Sequence, residues 1–227
     1  MKKRKKIKKI KFKSFLILII ILLIIGLLIY YYTTLHITNI FVKGNNLLSE
    51  QEIIEEAELI DYPKIYEVNV NNIKNKLLKN DLINKVTVDK SLFGKITIEI
   101  EENKIIYKTN NNYMLSSGKI ISLEKDINNV PILINEIDED IINKFIKKFL
   151  LINDDIVTKI SNIIYAKSEL DNERFMFYMN DGNYVYVTLS KIELINSYNE
   201  IYPTLGDNKG ILYLDSGNHF QIKNNKE

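Results

Sequence analysis

The stretch VKGNNLLSEQEIIEEAEL, which runs from residue 42 to residue 59, decides the fold because it contains a fully specified helix start. Ser49 is a favourable helix N-cap, and Glu52 follows three residues later, which is the spacing of a capping box. Leu48 and Ile53 flank the cap at the spacing of a hydrophobic staple. A short alternating strand and a Gly-Asn turn precede them. The stretch therefore predicts a strand, a turn and a helix in immediate succession.

The residues that follow extend this unit by a second helix and a hairpin. Apolar residues at helical spacing predict a helix over about 72–80. Two alternating segments, 86–89 and 95–101, predict strands, and the SLFG loop at 91–94 joins them as a hairpin. The predicted order is therefore β-α-α-β-β, beginning with the strand at 36–42.

The residues before this unit predict a membrane anchor. The run from Phe15 to Tyr32 has 18 residues without a charge, and at about 1.5 Å per residue it is close to the hydrocarbon thickness of a bilayer. A cleaved signal peptide is the less favoured alternative, because the run is long and no small-residue cleavage site follows. A buried core helix is the other alternative. Nine basic residues and no acid precede the run, so the N-terminus is expected in the cytoplasm and the bulk of the chain outside the cell membrane.

The charge balance beyond the anchor argues against a nucleic-acid partner. The 31 basic residues less the nine of the N-terminal tail leave 22 against all 29 acidic residues, a net of −7. A surface of that sign repels phosphates. The chain has no cysteine, so neither a disulfide framework nor thiol chemistry is expected.

The second half of the chain has a different pattern of short strands. A wide apolar stripe predicts a helix from Asp138 to about Ile152. The Asp181-Gly182 pair predicts a hairpin turn, a short helix is expected over about 191–202, and the last predicted strand is 210–215. The fold class is therefore α+β, with an N-terminal transmembrane helix, the β-α-α-β-β domain and a mixed α/β domain with a mainly antiparallel sheet. The expected boundaries are 1–14 for a basic cytoplasmic tail, 15–33 for the transmembrane helix, 36–103 and 104–222 for the two domains, and 223–227 for a tail.

Motifs that would indicate catalysis do not occur in the sequence. His36 and His219 have no Cys, His or acidic partner at the spacing of metal ligands. There is no nucleophile elbow, P-loop or dinucleotide fingerprint, although a Ser–His–Asp site assembled by the fold stays open. The adjacent acids at 101–102 and 154–155 favour solvated surface over an acid/base pair. No catalytic, cofactor-binding or metal-binding residue is predicted, which leaves binding as the favoured function.

The order of these parts resembles the FtsQ/DivIB family of bacterial cell-division proteins. The segment ITNIFVKGNNLLSEQEII resembles the start of a POTRA domain, and residues 71–103 continue it as helix, strand, hairpin and strand. In the second domain, VPIL at 130–133, FMFYMNDGNYVYV at 175–187 and KGILYLDSG at 209–217 fit the family. The chain departs from the family pattern at residues 93–94 and 101–103, and Ser replaces the Asp of the family's hairpin before Gly118.

The resemblance implies a non-enzymatic divisome scaffold, enriched at the division septum, without a cofactor or a small-molecule substrate. It implies two single-pass partners, an FtsL-like and an FtsB/DivIC-like protein, and strand addition at the sheet edge formed by the last strand. The residues that would carry this site are Tyr213, Leu214, Asp215, Ser216 and Gly217, with Phe220 as an aromatic anchor and Tyr198 and Tyr202 as further contacts.

Two other classes of protein share parts of this architecture. A membrane-anchored POTRA protein for assembly or secretion would have several POTRA units or a barrel. A membrane-anchored extracytoplasmic cell-wall enzyme would have a convergent acid, base or metal cluster in the second domain, which the structure can reveal.

Overall fold

The computed structural model describes residues 12–110, 112–206 and 208–223. The chain divides into two compact units, Met1–Glu102 and Asn103–Glu227. The division falls one residue before the join predicted from the sequence. Most of the predicted basic tail, residues 1–11, lies outside the described residues, as do residues 224–227 of the predicted C-terminal tail.

A long apolar helix, α1, spans Phe12–Thr34. The helix has 23 residues, its most apolar window of 18 residues has a mean hydropathy of 3.0, and none of that window is buried, so length and composition suit a membrane span. The helix begins three residues before the predicted start, because Phe12, Lys13 and Ser14 continue it without a helix breaker. A lysine at this position can extend its charge to the membrane surface.

The first unit continues with the predicted β-α-α-β-β order, which the structure confirms. Its elements are β1 (Asn39–Lys43), α2 (Glu50–Glu56), α3 (Val70–Leu77), β2 (Ile83–Lys90) and β3 (Lys95–Glu102). Strand β3 is central, with β1 parallel on one side and β2 antiparallel on the other.

The predicted helix start is confirmed in atomic detail. The Ser49 hydroxyl accepts the N–H of Glu52, and the Glu52 carboxylate accepts the N–H of Ser49, which completes the capping box. The carboxylate of Glu52 accepts hydrogen bonds from the N–H and from the hydroxyl of Ser49, and these two bonds lower the pKa of Glu52. Both staple residues, Leu48 and Ile53, are buried. Ile96, Ile98 and Ile100 of β3 are also buried, as the alternating pattern predicts, so the two helices and the sheet enclose one core.

The second unit is a single nine-stranded sheet with helices. Its elements are β4 (Ile105–Thr109), β5 (Asn112–Leu115), β6 (Ile120–Ser122), β7 (Ile132–Leu133), α4 (Glu139–Phe149), α5 (Asp154–Val157), β8 (Ile160–Tyr165), β9 (Arg174–Met179), β10 (Tyr184–Thr188), a 3₁₀ helix (Leu189–Ser197), α6 (Tyr198–Ile201), a second 3₁₀ helix (Tyr202–Leu205), β11 (Gly210–Tyr213) and β12 (His219–Ile222). The strand order is β12-β11-β10-β9-β8-β7-β4-β5-β6, and β4/β7, β7/β8 and β10/β11 are parallel pairs.

The core of the second unit lies under α4, which presents its apolar stripe to the sheet. Phe145 and Phe149 of this helix are buried, and the ring of Phe145 stacks on Phe175 of β9 with centroids 4.5 Å apart. Phe149 meets Phe177 edge-on at 6.2 Å. The rings are packed at the spacing that aromatic pairs prefer, so one face of the sheet is fixed firmly beneath the helix.

Candidate partner-binding site

The free edge at this end of the second sheet is β12, which is one strand further along the chain than the predicted edge strand. Residues 210–215 were expected to form the exposed edge strand. In the structure β11 pairs with β10 on one side and with β12 on the other. Within residues 12–110, 112–206 and 208–223, β12 pairs with β11 alone. The open edge therefore belongs to His219–Ile222, and the prediction that β11 is the edge was wrong.

Three backbone positions explain why β12 returns onto β11. Gly217 and Asn218 have positive φ angles of 85° and 48°, which reverse the chain after β11. Asn tolerates this conformation better than most residues, and Gly adopts it freely. A Cβ atom at Gly210 would lie 2.1 Å from the carbonyl oxygen of Gln221. Only glycine at this position allows β12 to approach closely enough to pair.

The ladder geometry determines which backbone groups of β12 stay unpaired. The N–H of Lys223 donates to the carbonyl of Lys209 at 2.9 Å, which marks a hydrogen-bonded pair one step beyond the strand. Bonded and non-bonded pairs alternate in an antiparallel ladder. Phe220 and Ile222 therefore point their N–H and C=O groups away from β11, towards the open edge.

An ion pair fixes the loop between β11 and β12. The Nε of Arg174 in β9 donates to a carboxylate oxygen of Asp215 at 2.6 Å, and the Asp215 side chain is only 9% exposed. The Lys191 ammonium donates to the Asp215 carbonyl at 2.8 Å. The Arg174 guanidinium also lies 3.8 Å above the ring centroid of Tyr186. Burial raises the pKa of Asp215, but the Arg174 hydrogen bond and charge, together with hydrogen bonds from Ser216, outweigh it, so that this pKa is lowered.

The two faces of the edge hairpin carry different side chains. On one face the rings of Tyr186, Tyr213 and His219 stack in a row, with centroids 5.4 Å and 4.7 Å apart. On the other face Phe220 is half-buried against the core of the second unit, and Ile222 is 51% exposed. A strand placed beside β12 would therefore find an aromatic surface on one side and an apolar surface on the other.

The remaining predicted site residues fall into three environments. Leu214 is buried in the core, and its N–H donates to the carbonyl of Tyr186. Tyr198 is also buried, and its hydroxyl donates to Asp181 at 2.7 Å. Burial raises the pKa of Tyr198 well above its ordinary value. Tyr202 is 37% exposed, whereas Ser216 and Gly217 are exposed in the hairpin loop.

Leu214 and Tyr198 are thus structural residues, and substituting either would test folding more than partner binding. The sequence analysis predicted no role at the partner-binding site for Gly210, Arg174, His219 or Ile222. The alternation of HFQI at 219–222 and the glycine directly before an apolar strand were the available signals.

The structure offers nothing at the adjacent acids that suggests catalysis. The Glu102 carboxylate accepts the backbone N–H groups of Asn46, Leu47 and Leu48 at 2.8–3.0 Å, so it closes a loop of the first unit. Asp154 pairs with the exposed Lys104. In the parts of the chain that the structure describes, no three His, Cys, Asp or Glu residues converge on a metal position.

Comparison with known proteins finds similarities to the POTRA region and to most of the chain. A family model described as "POTRA domain, FtsQ-type" matches residues 35–103. Cell division protein DivIB of Bacillus subtilis is 28% identical over 196 residues, which cover 82% of this chain and 73% of that protein. DivIB of Brevibacillus brevis is 27% identical over 188 residues, covering 78% and 71%. Over most of its length the chain is similar to cell division proteins DivIB.

Two further similarities cover shorter parts of the chain. DivIB of Staphylococcus pseudintermedius is 32% identical over 99 residues, which are 41% of this chain and 33% of that protein. The solved extracytoplasmic domain of DivIB from Geobacillus stearothermophilus aligns with 47% of this chain and 96% of its own, at a TM-score of 0.38 and 19% identity. The sequence relatives support a role in cell division.

These similarities agree with the architecture of the chain. Residues 35–103 form a POTRA domain, which follows the apolar helix α1, and this helix fits a single-pass membrane anchor. The relatives are named for cell division and not for a reaction. The chain therefore combines an apolar helix that fits a membrane anchor, a POTRA domain and a mixed α/β unit whose sheet, within the described residues, ends in the open strand β12.

Proposed function

We propose that the protein is a divisome scaffold that binds FtsL-like and FtsB/DivIC-like single-pass proteins by strand addition to β12. In this proposal the N-terminus is cytoplasmic, the two units lie outside the membrane, and the complex gathers at the septum to support cell-wall synthesis. The observation that carries the proposal is the open edge of β12, where Phe220 and Ile222 direct unpaired backbone groups outwards. Such an edge is a template for another chain.

Main-chain pairing would supply part of the affinity, and side chains would supply the selection. Each net hydrogen bond to an edge contributes about 1 kcal/mol, so a four-residue edge alone gives weak binding. A partner strand would also cover the half-buried Phe220 and the exposed Ile222 on one face. On the other face it would meet the stacked rings of Tyr213 and His219. Aromatic anchors of this kind commonly dominate interface energies.

Membrane anchoring would compensate for a short edge. The proposed partners are single-pass proteins in the same membrane as α1. Two chains held in one bilayer search a plane and not a volume, which raises their effective concentration. A weak strand-addition site can therefore be well occupied at the membrane although it would be poorly occupied in solution.

The variant Ile222→Pro tests strand addition directly. Proline removes the N–H that points to the open edge, while the bonds between β11 and β12 use other residues, and edge strands tolerate proline. We expect affinity for the two partners, measured with full-length proteins in nanodiscs, to fall roughly tenfold or more, because one hydrogen bond is lost and the ring obstructs the ladder.

The matched control is Ile222→Val, which keeps the N–H and a β-branched side chain. We expect this variant to bind the partners with nearly unchanged affinity. Equal binding by Ile222→Pro and Ile222→Val, with β11–β12 intact by hydrogen exchange, would contradict strand addition at this edge. Failure of the unaltered protein to bind either partner would contradict the proposed function as a whole.

A further inference from the structure

The membrane-proximal end of the POTRA domain carries exposed apolar side chains. Leu92 and Phe93, at the tip of the β2–β3 hairpin, are 69% and 78% exposed. In the loop between α2 and α3, Ile60, Tyr62 and Tyr66 are 45–52% exposed. Adjacent apolar residues at a hairpin tip do not contribute to the core of a soluble domain. Their exposure indicates a contact with a partner or a membrane.

Backbone hydrogen bonds place both segments beside the end of the anchor helix. The N–H of Thr38 donates to the carbonyl of Gly94 at 2.8 Å, which ties the hairpin tip to the chain four residues after α1. The N–H of Ile37 donates to Pro63, and the N–H of Ile65 donates to Leu35. Residues 35–38 therefore lie between the tip and the α2–α3 loop.

The close packing of the tip leaves it little freedom to move away. A Cβ atom at Gly94, which has a φ of 85°, would lie 2.6 Å from the carbonyl oxygen of His36. Strands β1 and β3 are parallel, with Asn39 opposite Lys95, so both begin at the end of the sheet where the chain leaves α1. The hairpin tip thus packs directly against the first residues of the chain after α1.

The length of α1 places this end of the domain at the lipid head groups. Its 23 residues span about 34 Å, slightly more than the roughly 30 Å of hydrocarbon that it would cross. Tyr30, Tyr31 and Tyr32 occupy the last turns, where aromatic residues favour the membrane–water interface. Four extended residues reach at most about 14 Å, so the tip at Gly94 lies within reach of the head-group layer.

We propose that Leu92 and Phe93 insert into the membrane interface as a second contact, with the α2–α3 loop resting on the head groups. The occupant is lipid because α1 already fixes this end of the domain at the bilayer. The contact is apolar and not ionic. The Lys90 ammonium is taken up by the carbonyls of Ile65 and Val68, and Lys95 lies over the ring of Phe41.

Two contacts with the bilayer define the orientation of the POTRA domain. A single junction after the anchor helix does not define it. The anchor helix supplies one contact, and the inserted hairpin tip supplies the second. The POTRA domain would then keep a fixed tilt against the bilayer without any protein partner. This consequence does not depend on strand addition at β12.

A tryptophan placed at the tip reports its depth without background, because the chain contains no tryptophan. The variant Phe93→Trp is prepared as full-length protein, one chain per nanodisc, in phosphatidylcholine with or without brominated acyl chains. We expect brominated lipid to quench most of its emission, and aqueous iodide to quench little. The quenching of the tryptophan at the tip should not change with salt, because the proposed insertion of Leu92 and Phe93 is apolar.

The matched control is Leu78→Trp, another exposed apolar position on the POTRA domain. Leu78 precedes β2, whose first residue, Ile83, pairs with Glu102 at the end of the sheet far from the hairpin tip. Eight strand residues separate the two ends by about 25 Å. We expect Leu78→Trp to show the reverse behaviour, with strong quenching by iodide and little by brominated lipid.

Two results would overturn the inference. Equal quenching patterns for Phe93→Trp and Leu78→Trp would show that the tip stays in water. Blue-shifted emission from Phe93→Trp that brominated lipid does not quench would show that the tip packs against protein. Leu92→Trp, at the neighbouring exposed position, repeats the test if Phe93→Trp perturbs the hairpin.

Discussion

Two open sheet edges, β2 in the POTRA domain and β12 in the second unit, differ in how well they are protected from pairing. Strand β2 has eight residues, a register shift between Ile83 and Lys85, and exposed Lys85 and Asp89. Bulges and charged residues are features that keep an edge unpaired. Strand β12 has four residues, a regular register and no acid, lysine or arginine.

Of these two edges, β12 is the one that lacks the features that resist strand addition. An edge with charges and a bulge resists strand addition, whereas β12 offers unpaired groups beside aromatic and apolar side chains. The β12 edge depends on Gly210 and on the Arg174–Asp215 pair. Both lie far in sequence from parts of the structure that they hold in place. Changes at these positions should alter the β12 edge and leave the β2 edge unaffected.

The largest effect is expected from Gly210→Val, which would push β12 off the sheet. Its side chain would collide with the Gln221 carbonyl, and the obstacle is backbone that cannot rotate away. We expect the free energy of unfolding of the second unit to fall by about 3 kcal/mol, with partner binding lost. Denaturant titration of the full-length protein measures the free energy of unfolding. Hydrogen exchange on the same protein then follows both units.

The neighbouring variant Ile211→Val controls for strand propensity and should cost less than about 1 kcal/mol. Partner binding by a folded Gly210→Val protein at unchanged affinity would show that β12 is dispensable.

A smaller loss is expected from Arg174→Met, which leaves the Asp215 carboxylate without its charged donor. We expect about 2 kcal/mol of destabilisation, the range of hydrogen bonds to charged groups. Exchange should accelerate in β11 and β12 and stay unchanged in β2. The comparison variant is Lys104→Met, which breaks a pair whose side chains are 57% and 80% exposed and should change stability by well under 1 kcal/mol. Similar effects of both variants would argue against a stabilising role of the Arg174–Asp215 ion pair.

A still smaller effect is expected from Ser49→Ala in the POTRA domain. Losing the capping box should lower the stability of that domain by about 1 kcal/mol. Partner binding at β12 should not change. Ser49→Asn, which keeps a capping side chain, should stay close to the unaltered protein. A Ser49→Ala variant that loses partner binding while folded would place the binding site in the POTRA domain.

The smallest expected effect is a loss of stability of the second unit at acidic pH. The folded-state pKa of Asp215 is lowered from its ordinary 3.8. The Arg174 pair therefore adds stability that is complete above 3.8 and is lost as the pH falls through the lower folded value. We expect a steeper acid loss of stability in the unaltered second unit than in Arg174→Met, measured by denaturant titration at a series of pH values. Parallel pH profiles would contradict this linkage.

Sequence reasoning succeeded in the POTRA domain because its signals are local. The capping box of Ser49 and Glu52 and the alternation of Ile96, Ile98 and Ile100 each lie within a few residues. The structure confirms both. The anchor helix was likewise evident from one uninterrupted apolar run, although its first turn was predicted too late.

Sequence reasoning failed at the end of the second sheet because the deciding contacts are non-local. Strand β12 is only four residues long and follows a turn in which Asn218, not a second glycine, carries a positive φ. Arg174 lies 41 residues before Asp215, so no spacing rule connects them. Strand β7, with two residues, was missed for the same reason, because its existence depends on pairing with β4 and β8.

Amide hydrogen exchange at the two edges tests the central claim most directly. The full-length protein in nanodiscs is compared with and without the FtsL-like and FtsB/DivIC-like proteins. We predict that the partners slow exchange at the outward-facing amides of Phe220 and Ile222 and leave the exposed edge of β2 unchanged. Slowed exchange along β2, with Phe220 and Ile222 exchanging as in the free protein, would contradict the account.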